Sequence, residues 1–165
     1  MTSWHARSLE ERNLLNPSFC STLLWHAVLG YGSERNAAMA IELSFLVLPF
    51  VLHQQTRESL PRGITTSLAT WLIEYPIVRS RLGERASALR PFTREALVFG
   101  GSHDLLSLSA EGIRANAAMK KGVAAGLKPT SDEVRTCAKR AEFLGKWLER
   151  AGGTETVMAL MGVRP

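Results

Sequence analysis

The sequence contains little cysteine, and this scarcity argues against two classes of protein. Only Cys20 and Cys137 are present, and neither has a second cysteine or a histidine nearby at metal-ligand spacing. Small secreted domains that depend on disulfides use more cysteines than this. Because both residues fall in helical patterns, two buried thiols in a reducing compartment are favoured over a disulfide or a metal site.

Targeting and membrane-spanning segments are also missing. The first residues, MTSWHARSLEERN, lack the charged-then-apolar pattern of a secretory signal, and their acidic pair argues against a transit peptide. The most apolar stretch has eight apolar residues among the ten from Leu43 to Leu52. A helix that crosses a bilayer needs about 20 such residues. We therefore expect a cytoplasmic protein without a membrane partner.

Catalytic and nucleotide-binding motifs are absent as well. Gly100-Gly101 and the pair Gly122 and Gly126 lack the Lys-Ser/Thr of a phosphate loop and do not follow a strand. We expect no ATP site, no metal and no other cofactor.

Two histidines have a carboxylate close in sequence and merit testing as general acid-base groups. These pairs are His53 with Glu58 and His103 with Asp104. Neither pair has a nucleophile or third group fixed by a motif, so surface or hydrogen-bonded structural roles are favoured. A small hydrolase that uses His53 or His103 is the weakest of the functions considered, and we expect no enzymatic activity.

The first lysine of the chain is Lys120, and basic charge concentrates in the second half. The net charge is +5, of which residues 83–165 supply +4. Such an excess permits nucleic acid or an acidic protein as partner without requiring either. Candidate nucleic-acid contacts are Lys120, Lys121, Lys128, Arg79, Arg81 and Arg85. Acidic residues interleave with the arginines, so a solvated helix face is the alternative for them.

What the sequence does contain is a core. At 165 residues with 45% hydrophobic content, the chain is expected to form one domain. A helix over Leu43–Leu52 is apolar on all sides and must be buried. A polar cluster with Arg57 and Glu58 follows it directly.

The remaining pattern predicts a mainly α-helical fold with one small β-hairpin. Residues 1–65 form N-terminal helices around the buried element, 66–115 a winged-helix-like part, 116–129 a flexible connector and 130–165 the C-terminal helices. In the central part, one helix ends at Pro76, another covers 77–90, and Pro91 begins a third. Strands over 105–109 and 113–115 follow, joined by a turn with Gly112.

Helix caps are predicted at three places. Asn16 followed by Pro17 begins the first long helix, and Asn36 offers a second possible cap. Thr130 with Glu133 forms a capping box for the last long helix.

Four residues are candidate contacts with a protein partner: Trp25, Arg57, Glu58 and Arg94. Trp25 lies off the apolar stripe of its helix, where an exposed tryptophan suits an interface. Packing of Trp25 within the domain is equally consistent with its position. For Arg57, an ion pair that fixes the fold is favoured over contact with a partner.

Several blocks together resemble the middle component of the ABC-type three-component systems of bacteria, relatives of the Lamassu-type antiphage defences. The blocks are Glu11–Asn13 with Asn16–Cys20, Leu46–Pro49 with Val51–His53 and Thr56–Pro61, Thr66-Ser67 with Trp71-Leu72, Pro91–Leu97, and Gly162–Pro165. They occur in the expected order over nearly the whole chain.

The resemblance implies a non-enzymatic adaptor between an SMC-like ABC ATPase and an effector subunit, often a nuclease. The adaptor would restrain the effector until foreign DNA is sensed, in defence against phage or plasmids. The adaptor would contact DNA either indirectly, through its partner subunits, or directly, through the basic second half of its chain. In housekeeping SMC complexes, small winged-helix proteins occupy the corresponding position, so the comparison with the predicted winged-helix-like part is one of fold alone. The alternative is a stand-alone winged-helix DNA-binding regulator.

Overall fold

The computed structural model describes Ser8 and residues 15–163, and within these residues the chain is mainly helical with one antiparallel hairpin, as predicted. The sequence pattern also predicts a short amphipathic helix over residues 4–14, and these residues lie outside the described part of the chain except for Ser8. The helices are α1 (Pro17–Tyr31), α2 (Ile41–Val51), α3 (Gln54–Ser59), α4 (Leu68–Glu74), α5 (Pro76–Ser102), α6 (Lys120–Leu127), α7 (Asp132–Arg150) and α8 (Thr154–Met161). Of the helices described, none is both long and apolar enough to span a bilayer.

Helices α1 and α7 cross at very close range in the centre of the fold. The cap of α1 is the predicted one, since the Asn16 side chain accepts a hydrogen bond of 2.8 Å from the Ser18 N–H. Gly30 and Gly145 lie at the crossing. A Cβ atom on Gly145 would lie 1.9 Å from the carbonyl oxygen of Ala27, so only glycine allows the two backbones to approach this closely.

Helix α2 is the buried element that the sequence predicts. Leu43 and Leu46–Leu48 are fully buried, and Pro49 lies within the helix. The possible cap at Asn36 is wrong, because Asn36 adopts a left-handed conformation with φ +52° and the helix begins at Ile41. An isolated bridge between Met39 and Ile113 joins this entry segment to the hairpin.

Helix α5 runs without interruption past Pro91, so the predicted helix start at Pro91 is wrong. A proline inside a helix removes one backbone hydrogen bond, here to the carbonyl of Ser87. Both Pro91 and Ser87 are exposed, so water can satisfy the carbonyl. The end of α4 meets α5 at Tyr75 and Pro76, as predicted.

The hairpin pairs β1 (Leu106–Ser109) with β2 (Gly112–Ala115) in the register Leu106 to Ala115 and Ser109 to Gly112. The predicted hairpin is confirmed, but Gly112 pairs with Ser109 at the start of β2, so the turn consists of Ala110 and Glu111 and does not include Gly112 as predicted. Leu106 and Ile113 are buried, which anchors the hairpin in the same core as α1 and α5.

The segment predicted to be a flexible connector, residues 116–129, is largely helical. A 3-10 turn (Ala117–Met119) leads directly into α6, and the Asn116 side chain accepts a hydrogen bond from the Ala118 N–H. Val123 and Leu127, one turn apart, are half-buried and pack against the core. This apolar contact and the helix propensity of the alanines outweigh the two glycines of the segment.

Helix α7 is capped by Ser131, and not by the predicted box of Thr130 and Glu133. The Ser131 hydroxyl accepts a hydrogen bond from the Val134 N–H at 3.3 Å. Thr130 instead donates to the Leu127 carbonyl at 2.6 Å and so closes the end of α6. Glu133 is left free to form a tertiary ion pair.

Candidate partner-binding surfaces

The polar cluster after α2 ties two distant parts of the chain together. Arg57 is only 3% exposed, and its Nη1 donates to the Val51 carbonyl at 2.7 Å. Its Nη2 forms an ion pair with Glu133 of α7. Arg57 is therefore in an ion pair within the fold, which is the arrangement favoured by the sequence over contact with a partner. Glu58 is exposed and accepts a hydrogen bond from Gln54 at 2.8 Å, so it remains accessible.

His53 caps helix α3. Its Nδ1 accepts a hydrogen bond of 3.2 Å from the Thr56 N–H and lies 2.9 Å from the Thr56 hydroxyl. Burial, followed by the charges of Arg85, Arg57 and Arg81, lowers the pKa of His53, so the imidazole is a neutral acceptor. Arg85 donates to the same Thr56 hydroxyl at 2.8 Å.

His103 lies at the exposed C-terminal end of α5. Its ring stacks on Phe99 with centroids 3.9 Å apart, and its Nδ1 lies 2.9 Å from the Phe99 carbonyl oxygen. Asp104 follows with φ +57° and ends the helix. Over residues 15–163, no group of three or more His, Cys, Asp or Glu side chains is arranged to hold a metal ion.

Trp25 is an interior residue. It is 1% exposed, and its indole N–H donates to the Asn116 carbonyl at 3.1 Å. A buried indole has no free surface for a partner, so its position off the helix stripe reflects packing against the segment that leads into α6.

The predicted nucleic-acid contacts divide between two helices. Arg79 and Arg81 are exposed near the start of α5, while Lys120, Lys121 and Lys128 are exposed on or directly after α6. A pocket of about 290 Å³ opens between α1, α6 and α7. Lys120 and Lys128 line it together with residues that the sequence did not single out: His26, Arg135 and Lys139.

His26 places an imidazole ring in the lining of that pocket. Neither ring nitrogen has a hydrogen-bond partner among the described residues, and Nδ1 lies 3.7 Å from Glu142 Oε2. Burial lowers the pKa of His26, although the Glu142 carboxylate opposes that effect. Lys146 holds the carboxylate from the other side at 2.8 Å. The imidazole is therefore neutral near pH 7.

A larger groove of about 610 Å³ opens between α2, α5 and α8. Five apolar side chains line it: Ile41, Phe45, Ala86, Met158 and Val163. Arg90 and Arg94, one turn apart on α5, line it as well, and Glu42 lies on the α2 side. The structure thus places the predicted partner contact Arg94 beside Arg90, which the sequence analysis did not select. Their i, i+4 spacing was the available signal.

Exposed apolar side chains outside the groove gather at the two ends of α5. Ile73 and Ile77, 78% and 72% exposed, lie where α4 meets α5. Val98 is 70% exposed near the other end of α5. Leu108 of the hairpin is 46% exposed and lies close to Gly101, one helical turn after Val98. At 1.5 Å per residue, Ile77 and Val98 are about 30 Å apart along the helix axis.

Comparison with known proteins assigns the chain to a family. Residues 4–165 match the family model described as ABC-three component (ABC-3C) system Middle Component 3. No curated protein and no solved structure matches the chain. Since the match covers nearly the whole sequence, the chain belongs to the Middle Component 3 family of ABC-three component systems.

Proposed function

We propose that this middle component is a non-enzymatic adaptor that holds an ABC ATPase and an effector subunit together. Membership of a multi-component system implies partner subunits. The finer assignment is an SMC-like ATPase on one side and a nuclease on the other, in a cytoplasmic complex that defends against phage or plasmids. The adaptor restrains the effector until foreign DNA is sensed.

The observation that carries this proposal is the separation of the exposed apolar residues. An adaptor needs two surfaces that two partners can occupy at once. Ile73 and Ile77 mark one end of α5, and Val98 with Leu108 marks the other. Large apolar side chains that are mostly exposed are costly in a free subunit and are typical of interfaces. A distance of about 30 Å along α5 leaves room for both partners.

Co-purification with two matched surface variants tests the bridge. A tagged chain is expressed with its genomic neighbours, and recovered complexes are sized by mass photometry. We expect wild type to recover an ATPase and an effector in fixed ratio. We expect Ile73→Glu with Ile77→Glu to lose one of them, and Val98→Glu with Leu108→Gln to lose the other.

The matched control is Ala88→Glu, at an exposed position in the middle of α5, which should recover both partners. Recovery of a lone monomer or dimer from wild type contradicts the adaptor function. Loss of the same partner from both double variants contradicts a bridge along α5.

A second candidate function is direct contact with DNA. The exposed lysines Lys120, Lys121 and Lys128 support it, because their side chains form no ion pair with the described residues. Charge reversal of Lys120 and Lys121 should weaken association of the complex with DNA and flatten its salt dependence. Unchanged binding over a salt series would dismiss this contact. A symmetric dimer of the chain alone with sequence-specific affinity would favour the stand-alone regulator.

A further inference from the structure

We infer that the groove between α2, α5 and α8 binds an acidic amphipathic helix of a partner subunit. This inference rests on the proposed adaptor function and specifies the chemistry of one partner. Helix-in-groove recognition requires an apolar floor and edge charges that select the ligand. Both are present in the groove.

The floor of the groove is apolar and only partly covered. Ile41 is 38% exposed on the α2 side, and Phe45, one turn further along α2, is half-buried. Met158 of α8 and Val163, two residues after the end of α8, line the groove on the side opposite α2 and α5. A volume of about 610 Å³ is within the range of about 300–1,000 Å³ typical of ligand sites. Several apolar side chains from one face of a helix fit this space.

The edge charges select an acidic partner. Arg90 and Arg94 are exposed and make no hydrogen bond or ion pair with any residue that the structure describes. Arginines that serve the fold of this chain are engaged instead, as Arg57 and Arg85 are. Two free guanidiniums over an apolar floor therefore favour carboxylates on the occupant.

The spacing of the two arginines also indicates a helix. Residues at i and i+4 lie about 5–6 Å apart on a helix surface, so Arg90 and Arg94 match two carboxylates one turn apart on a helix that runs along α5. Glu42 lies on the α2 side of the groove and disfavours acidic residues there. The occupant should therefore carry its carboxylates on the edge that faces α5.

A second copy of the chain is a poorer occupant. A two-fold contact between equivalent grooves would bring Arg90 and Arg94 of both copies together. Like charges at such a contact oppose association, and the net charge of +5 adds to the repulsion.

The test uses two designed helical peptides and needs no knowledge of the natural partner. Each peptide has about 18 residues so that it forms a helix and carries an apolar i, i+3, i+7 stripe. One places two glutamates, and the other two lysines, at i and i+4 beside the stripe. Fluorescence anisotropy measures their binding to wild type, to Arg90→Glu with Arg94→Glu, and to the matched control Arg62→Glu with Lys139→Glu, two exposed residues outside the groove.

We expect wild type and the control variant to prefer the glutamate peptide by roughly tenfold or more, as one or two charge-assisted contacts would give. The groove variant should lose that preference, and Ile41→Glu should weaken both peptides. Equal binding of the two peptides to wild type, or an unchanged preference in the groove variant, would overturn the inference. Circular dichroism confirms that each variant is folded.

Co-purification separates this inference from the proposed function. If wild type recovers neither an ATPase nor an effector, the adaptor function fails whatever the peptides do. If wild type recovers both and the groove variant also recovers both, the groove inference fails alone. Loss of one partner from the groove variant, with both retained by the Arg62 and Lys139 control, supports the inference.

Discussion

The crossing of α1 and α7 gives the sharpest prediction for stability. Gly145→Ala adds one methyl group at a point where the helices touch through their backbones. The new Cβ would lie 1.9 Å from the Ala27 carbonyl oxygen and 2.8 Å from the Tyr31 nitrogen. Both atoms belong to the backbone of α1, which cannot turn aside as a side chain can. The two helices must therefore separate.

The expected cost follows from two opposing effects. Overpacking of a filled core costs about 1–3 kcal/mol and occasionally more, and here it falls on the helix pair at the centre of the fold. Alanine in a helix is favoured over glycine by about 1 kcal/mol, which offsets part of the cost. Because the clash involves backbone, we place the overpacking cost at the upper end of that range and expect a net loss of about 2 kcal/mol in the free energy of unfolding. For a chain of this size that corresponds to a melting temperature lower by about 4–8 °C.

Urea unfolding followed by tryptophan fluorescence measures this loss, with Gly83→Ala as the matched control. Gly83 lies inside α5, and a Cβ there would meet no atom within 4 Å. The same substitution should therefore stabilise the protein by about 0.5–1 kcal/mol at Gly83. If Gly145→Ala is as stable as wild type, the helices do not cross at the described distance and the reasoning is refuted.

Three further predictions follow from buried polar groups. Arg57→Ala should lower the free energy of unfolding by about 2–4 kcal/mol because a buried carbonyl loses its donor, whereas Glu133→Ala at the exposed end of the pair should cost about 1 kcal/mol or less. Since the pKa of His26 is lowered in the fold, protonation favours the unfolded chain. Stability should therefore fall as the pH drops below the unfolded value of about 6.5, and less so in His26→Gln; equal pH profiles would contradict the assignment. Burial, with the charge of Glu95, raises the pKa of Cys20 to about 12 and burial raises that of Cys137, so a thiol reagent at pH 8 should react with neither until denaturant is added.

Local signals in the sequence predicted local structure well. The Asn16-Pro17 start, the buried helix over Leu43–Leu52 and the turn before Ile113 depend on residues within a few positions of each other. Capping, hydrophobic burial and turn geometry act over that range. The sequence therefore predicted most element types and their order, although the local cap signals at Asn36 and Thr130 were wrong.

The errors arise where tertiary packing decides between two local choices. Pro91 usually breaks a helix, but burial of Leu82, Ala96 and Leu97 along one face holds α5 continuous across it. Residues 120–127 carry two glycines, but Val123 and Leu127 gain enough contact with the core to fix a helix. The residues within each segment do not show which distant residues pack against it, so the local sequence could not predict either helix.

The candidate surfaces depend even more on long-range contacts. Arg57 and Arg94 look alike in sequence, since each directly precedes a glutamate in a helical segment. Arg57 pairs with Glu133, 76 positions away, whereas the groove beside Arg94 is formed by α2 and α8. Only the three-dimensional structure shows that Arg57 forms an ion pair and that Arg94 lines an open groove.

This difference gives the adaptor hypothesis its physical basis. Charged side chains that pair within the fold cannot also select a partner, whereas charged side chains left exposed can. Helix α5 carries charges of the exposed kind. Its middle segment carries two arginines that form no ion pair with the residues the structure describes, and exposed isoleucine and valine side chains mark its two ends. Exposed apolar side chains and exposed charges without an ion pair add little to the stability of the isolated chain. Their concentration along one 27-residue helix is best explained by partner subunits that cover it.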